Sequence, residues 1–408
     1  MPFVAVTRWK RRRGKSRNEF KEEAGDEGTR VMGSAVCVYK PAYLNYDFGP
    51  GHPFSPVRWK ALRDLLDQVD LPMIWVNPDP AADEDVLSVH SEDFVAAVKA
   101  SSDALTFLHP GFFGLGTGDV PTFLGMHDAT CEIVGGTCEA GRLVTRGSAR
   151  RVLQLGGGLH HAMRSRASGF CVYNDVAVMI AQLRAEDLRV AYVDVDVHHG
   201  DGVQALFYDD PDVLTVSLHE SGAYLFPGTG MIVETGGEHA PGASINVPLH
   251  PGTGDTSYLE CFDAVVPGAV RAFGPDVLVL EAGADAHSMD PLAHLSLTTQ
   301  GFGAIFDRII RLADEEADGR LVAALGGGYA FDSTLRVWSV LACKLADVDV
   351  PEVLPPAWRD AYADGLLNPA WDRWHDVQRP GDSDLAEAAE ETNRRTVQEL
   401  NELLSAHR

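Results

Sequence analysis

From residue 35 onward, short apolar runs punctuate the chain at strand length. They lie at Ala35–Tyr39, Met73–Val76, Val152–Leu155, Val190–Val197, Val213–Leu218, Ile245–Leu249, Val277–Leu280 and Leu321–Leu325. The runs are apolar throughout, with no strict apolar–polar alternation, which is the pattern of strands buried on both faces. Between several of them, apolar positions recur at helical period: Val57–Val69, Asp175–Leu183, Tyr258–Phe273 and Phe302–Ala313. Strands alternating with helices predict a three-layer α/β/α architecture around a mainly parallel sheet of about eight strands. No linker-like stretch interrupts this pattern and no repeat period emerges, so a single domain over residues 31–380 is expected. The apolar spacing from Leu385 to Leu404 suits a helix, and residues 381–408 are expected to form a tail packed on the domain or extending from it.

Residues 1–30 break the pattern. Arg11, Arg12, Arg13, Lys15 and Arg17 precede Glu22, Glu23, Asp26 and Glu27 with few apolar residues between them. This composition predicts a solvated, disordered charged extension. Met32 stands just before the first strand-like run, so a start at that residue is also compatible with the sequence.

Composition narrows the function. The hydrophobic fraction of 45% can fill a large core. Lys+Arg number 34 against Asp+Glu 59, a net charge of −25. That balance argues against nucleic acid as a partner, because phosphate binding needs a basic footprint. The six cysteines, Cys37, Cys131, Cys138, Cys171, Cys261 and Cys343, form no C-x-x-C pair and no disulfide-like framework, as expected of a cytoplasmic protein. No apolar run approaches the roughly 18–20 residues that span a bilayer, and the basic N-terminus lacks the apolar segment of a secretory signal, so no membrane partner is expected.

Four polar clusters sit just beyond the C-terminal ends of predicted strands, where open parallel sheets place ligands. They are Gly156–His161, Asp194–Gly202, Glu281–Asp285 and Gly326–Tyr329. In the second, strand alternation would put Asp194, Asp196 and His198 on one face. Two carboxylates and an imidazole are costly to bury there without a counter-charge, and a divalent cation supplies one. Asp285 could complete three ligands, the form of a catalytic site with an open position. Nitrogen and oxygen donors suit Zn²⁺, with Fe²⁺, Co²⁺ or Mn²⁺ possible. An exposed acidic strand end with a capping Asp is the plainer alternative. His160 and His161 could each be oriented by a carboxylate, with Asp194 and Asp201 the candidates left over from the ligand set. Tyr329 could donate to an oxyanion, or could simply cap the sheet.

Taken together, the motifs resemble the histone deacetylase superfamily, with the arginase-deacetylase α/β fold. They stand here as GGGLHHA at 156–162, GFCVYND at 169–175, DVDVHHGDG at 194–202, VSLHE at 216–220, FPGTG at 226–230, GADAHSMDPLAHLSLT at 283–298 and GGGY at 326–329. YDFGPGHPFSPVRW at 46–59 and DPLAHLSLT are similar to the bacterial acetoin-utilisation proteins within that superfamily. The resemblance covers about residues 33–345 and leaves both termini outside.

The resemblance implies zinc held by Asp196, His198 and Asp285, with His160 paired to Asp194 and His161 to Asp201. It gives His161 the role of general base and then acid, His160 an electrostatic role, and Tyr329 the polarisation of the acetyl carbonyl. Phe170 and Phe226 match the walls of an acyl-lysine tunnel, Gly169 a carbonyl acceptor for the substrate amide, Asp119 an acid gripping the substrate backbone, and Leu292 a tunnel residue. A structural K⁺ is implied at Asp194, Ser217 and the main-chain oxygens of Asp196, His198 and Leu218. His287 is expected to support the site and not to bind a second metal. The implied activity is hydrolysis of N-ε-acetyl-lysine in a protein, such as an acetyl-CoA-forming enzyme, with release of acetate. Small acetylated amines, as for acetylpolyamine amidohydrolases, are the alternative substrates. A non-catalytic acyl-lysine binder would be expected to lack the ligands, His161 or Tyr329, and an arginase-like ureohydrolase would need two metals.

Overall fold

A computed structural model describes residues 35–104, 110–363, 372–376 and 383–406. The expected charged extension at 1–30 lies outside the described residues. Eight strands form one sheet: β1 (Ala35–Val38), β2 (Met73–Val76), β3 (Arg151–Gln154), β4 (Val190–Asp194), β5 (Val213–Glu220), β6 (Ser244–Leu249), β7 (Val277–Glu281) and β8 (Leu321–Ala324). Their order is β2-β1-β3-β8-β7-β4-β5-β6, and every pairing is parallel. The expected α/β architecture is therefore present, with a wholly parallel sheet.

The α-helices are α1 (Val57–Val69), α2 (Asp83–Leu87), α3 (Glu92–Ala104), α4 (Met126–Thr145), α5 (Asp175–Ala185), α6 (Asp201–Phe207), α7 (Asp255–Phe273), α8 (Thr299–Glu316), α9 (Phe331–Leu345), α10 (Pro356–Tyr362) and α11 (Ser383–Ala406). One layer runs by successive packing through α1, α9, α8, α7 and α11, and the other through α3, α4, α5 and α6. Helix α1 has the bounds its periodicity predicts. Helices α7 and α8 begin three residues earlier than the apolar pattern suggests, because their first turns are polar: Asp255-Thr256-Ser257 and Thr299-Gln300-Gly301. The Thr298 hydroxyl accepts the Gly301 N–H at 3.2 Å and so caps α8.

All five residues of β4 and β7 and all eight of β5 are buried, as two covering layers require. Strand β6 forms one edge and is covered by α11. All six cysteines are free and buried. Among the described residues no helix is long and apolar enough to cross a membrane.

Candidate active site

The four strands that end in polar clusters are neighbours in the sheet, in the order β3-β8-β7-β4. Clusters more than a hundred residues apart in sequence therefore meet at the C-terminal ends of adjacent central strands.

Strand β4 stops at Asp194, earlier than expected, so strand alternation does not place Asp196 and His198. Side chains turn the backbone instead. Asp194 Oδ1 accepts the Asp196 N–H at 3.0 Å, and Asp196 Oδ1 accepts the His198 N–H at 2.9 Å. Asp285, past the end of β7, accepts the Val197 N–H through Oδ1 at 2.9 Å. This brings His198 Nδ1 to 3.2 Å from Asp196 Oδ1 and 3.0 Å from Asp285 Oδ2. One donor atom from each of the three buried residues lies within 4.8 Å of the others. The Gly327 N–H, at the end of β8, donates to Asp196 Oδ2 at 2.6 Å. A Cβ at Gly327 would stand 2.0 Å from Asp285 Oδ2, so only glycine leaves both carboxylates in place.

Charge in this cluster is unbalanced. Burial pushes the Asp196 carboxyl up, but the neighbouring imidazoles of His160 and His198 prevail and hold it well below the usual range. Burial and the adjacent Asp196 raise Asp285 to about 7 against the pull of His198. Burial lowers His198, yet its bonds to both carboxylates carry it to about 10. Two carboxylates thus compete for one positive group. The donor set fits a divalent cation, which would supply that charge.

The histidine pair lies alongside. His160 Nδ1 is 2.9 Å from Asp194 Oδ2, and His161 Nδ1 is 2.7 Å from Asp201 Oδ1. The two Nε2 atoms face each other at 3.0 Å, with His160 Nε2 at 3.9 Å from Asp196 Oδ1. Burial opposes charge on both rings. Asp194 and Asp196 overcome it at His160, which is held well above the ordinary imidazole range. At His161, burial and the charge of His160 outweigh Asp201 and pull the ring down to about 4. Charge on the pair is therefore favoured at His160 and opposed at His161.

Aromatic rings wall the approach. Phe226 lies 5.1 Å from His161 and 6.3 Å from His198, centroid to centroid. Tyr329 lies 5.7 Å from Phe170 and 6.4 Å from His198. Phe170 adopts a left-handed backbone (φ 64°), fixed in part by the Tyr46 hydroxyl, which donates to its carbonyl at 2.7 Å. Gly169 is also left-handed (φ 55°), and a Cβ there would meet the His161 ring at 2.2 Å. Asp119 Oδ2 accepts the Gly169 N–H at 2.8 Å, which ties this loop acid to the Gly169–Phe170 turn. Leu292 is half-buried in the turn after Asp285, its amide donating to Asp290 Oδ1 at 2.9 Å. At the proposed potassium residues, Asp194 and Ser217 are register partners on β4 and β5, and the Ser217 hydroxyl lies 2.8 Å from His219 Nδ1. The main-chain oxygen of Leu218 accepts from Tyr258 at 3.4 Å.

Four groups at the site have no role assigned from the sequence. The Tyr192 hydroxyl donates to Asp194 Oδ2 at 2.6 Å; its spacing of two from Asp194 on a strand was the available signal. Buried Arg58 donates to the Gly328 carbonyl at 2.9 Å, with its guanidinium 6.0 Å from the Tyr329 ring. It stands in the 46–59 motif, but nothing local pointed it at residue 328. Asp290 Oδ2 accepts the Tyr329 N–H at 2.8 Å. Glu281 is fully buried, and burial holds its carboxyl well above the usual range.

Comparison with known proteins agrees with this geometry. Residues 52–345 match the histone deacetylase domain family. The chain is 42% identical over 336 residues to the acetoin utilization protein AcuC of Bacillus subtilis, spanning 80% of this chain and 86% of that protein. It is 38% identical over 355 residues to the AcuC of Staphylococcus aureus strain MRSA252, spanning 85% and 91%. The crystal structure of a histone deacetylase homologue complexed with SAHA superposes with a TM-score of 0.80 at 25% identity, covering 90% of this chain and all of that one. A homologue from Aquifex aeolicus gives 0.79. Sheet, site and relatives lead to one assignment: this chain belongs to the histone deacetylase family, with the arginase-deacetylase fold, and is a hydrolase of the deacetylase class.

Proposed function

We propose that the protein is a zinc-dependent deacetylase that hydrolyses N-ε-acetyl-lysine in proteins and releases acetate in the cytoplasm. The observation that carries this reading is the convergence of Asp196, His198 and Asp285 beside the His160–His161 pair, behind aromatic rings. Nitrogen and oxygen donors in a three-residue set suit Zn²⁺, and Fe²⁺ is compatible with the same donors. When bound, the ion supplies Lewis-acid polarisation and a water of lowered pKa.

The chain's own groups do the rest. Phe170 and Phe226 exclude water from the acyl-lysine stem, and the Gly169 carbonyl orients its amide N–H. His161 Nε2 takes a proton from the attacking water as oxygen bonds to the carbonyl carbon. The Tyr329 hydroxyl donates to the developing oxyanion. His161 then returns the proton to the amine nitrogen as the C–N bond breaks, giving acetate and lysine. His160, held charged by Asp194, stabilises the negative charge. Asp194, Ser217 and the main-chain oxygens of Asp196, His198 and Leu218 would hold a structural K⁺ behind this floor.

A protein substrate, such as an acetyl-CoA-forming enzyme, is favoured by the exposed apolar side chains on the loop after β5. Tyr224, Phe226, Met231 and Val233 are all exposed on this one loop, a surface suited to a polypeptide more than to a small cation. The test is acetate release from acetyl-lysine peptides against acetylspermidine and acetylputrescine, after metal analysis of the purified protein. Higher kcat/KM on peptides is expected, with Asp196→Ala losing metal and turnover together. Preference for an acetylated polyamine would reassign the substrate. Acetyl-lysine binding without acetate release by metal-loaded protein would reduce the site to a binding module.

A further inference from the structure

Beyond the stretch matched by the deacetylase family, residues 372–376 return to the body of the molecule. Trp374 in this strap is fully buried, and its indole N–H donates to the Val353 carbonyl at 3.0 Å. The Leu354 N–H donates to the Asp372 carbonyl at 2.8 Å. These contacts fix the last residue, Asp376, against the N-terminus of α8. Its Oδ2 accepts the Thr299 N–H at 2.8 Å, its Oδ1 accepts from Arg336 Nη1 at 2.7 Å, and its own N–H donates to Thr299 Oγ1 at 2.9 Å.

Asp376 Oδ2 also lies 2.9 Å from His287 Nε2. His287 is buried, and its Nδ1 accepts the Met289 N–H at 3.2 Å, which assigns the ring proton to Nε2 and makes His287 the donor to Asp376. The backbone of His287 closes the turn that carries Asp285. Its N–H donates to the Ala284 carbonyl at 3.2 Å, and its carbonyl accepts the Asp290 N–H at 2.8 Å. Asp290 in turn receives the Tyr329 N–H. One imidazole thus connects the C-terminal strap to a turn bearing both a ligand carboxylate and the support of the oxyanion donor.

We propose that Asp376 is a positioning residue for the metal centre, acting through His287 to hold the Asp285 turn in its ligating geometry. The inference rests on the reading of Asp285 as a ligand. A carboxylate that orients an imidazole beside a metal site is a recurrent device, and its loss costs about 10–100-fold in metal affinity or activity. Here the imidazole is not itself a ligand; it fixes the backbone two residues beyond one.

The experiment uses the full chain with Zn²⁺ as probe, competed against a chromophoric chelator. His287→Asn keeps an acceptor for the Met289 N–H but cannot reach Asp376, and it leaves Asp376 bonded to Thr299 and Arg336. Asp376→Ala removes the other partner. Each is expected to weaken Zn²⁺ binding by about 10–100-fold, with the double variant no weaker than the worse single one. KM should stay near wild type. Wild-type Zn²⁺ affinity in His287→Asn, with only a lowered melting temperature, would overturn the inference and leave the strap a packing element. If Asp376→Ala does not fold, His287→Asn decides alone. Zn²⁺ binding that survives Asp285→Ala undiminished would instead overturn the ligand assignment, and the strap's role with it.

Discussion

A phenol serves an oxyanion only while it keeps its proton. Burial raises Tyr329 well above its ordinary range, and the carboxylates of Asp285 and Asp196 raise it further, against the pull of Arg58. It remains a donor across the working pH range. Removing one oxyanion donor costs about 10²–10³ in kcat, so Tyr329→Phe should lose about that much while retaining its metal. Turnover at the wild-type level, measured as acetate release, would remove Tyr329 from the scheme. At this scale the sequence was legible where short motifs carry the chemistry. His160, His161, Asp196, His198 and Asp285 all meet in one cluster. Tyr192, Arg58 and Asp376 were not legible, because each acts on a group that only the folded chain brings near it.

Between elements, His90 plays the part of a rivet. It is buried at the entry to α3; its Nδ1 lies 3.0 Å from the Met163 carbonyl and its Nε2 accepts the Asn174 N–H at 2.9 Å. Asn174 caps α5 by accepting the Ala177 N–H, and its amide donates to the carbonyls of His160 and Ala162 at 3.1 Å each. The cap of α5 therefore also steadies the loop of His160–Ala162. Burial pulls His90 down to about 4, so the native ring stays neutral where an unfolded one would protonate. Between about pH 6.5 and 4 the unfolded state binds more protons, and stability must fall as pH falls through that window. The contribution is on the order of 3 kcal/mol. Urea midpoints against pH should show this slope, and His90→Gln should flatten it; an unchanged slope would exonerate His90. The elements themselves were largely legible. The exception is instructive: β4 reads as a strand through Val197 by apolar pattern, but the carboxylates of Asp194 and Asp196 capture the next backbone amides and end it at Asp194.

At the scale of the molecule, the net charge of −25 acts on whatever approaches. An acetyl-lysine peptide flanked by Lys or Arg should be drawn in, and one flanked by Asp or Glu repelled. Rising salt should accordingly lower kcat/KM for the basic peptide and raise it for the acidic one. Equal salt responses would show that the field does not reach the tunnel. Fold class could be read from alternating strands and helices, but strand order could not, since apolar runs do not say which neighbour each will choose.

That order has a consequence for how the enzyme comes into being. Strand β8, the last in sequence, is wedged in the interior of the sheet between β3 and β7. Strand β3 cannot find its β8 neighbour until the much later residues 321–324 have been made, and such long-range closure is slow. The strand ends that carry the reactive groups straddle that position, so the site is complete only once β8 and the Gly327 turn after it have joined their neighbours.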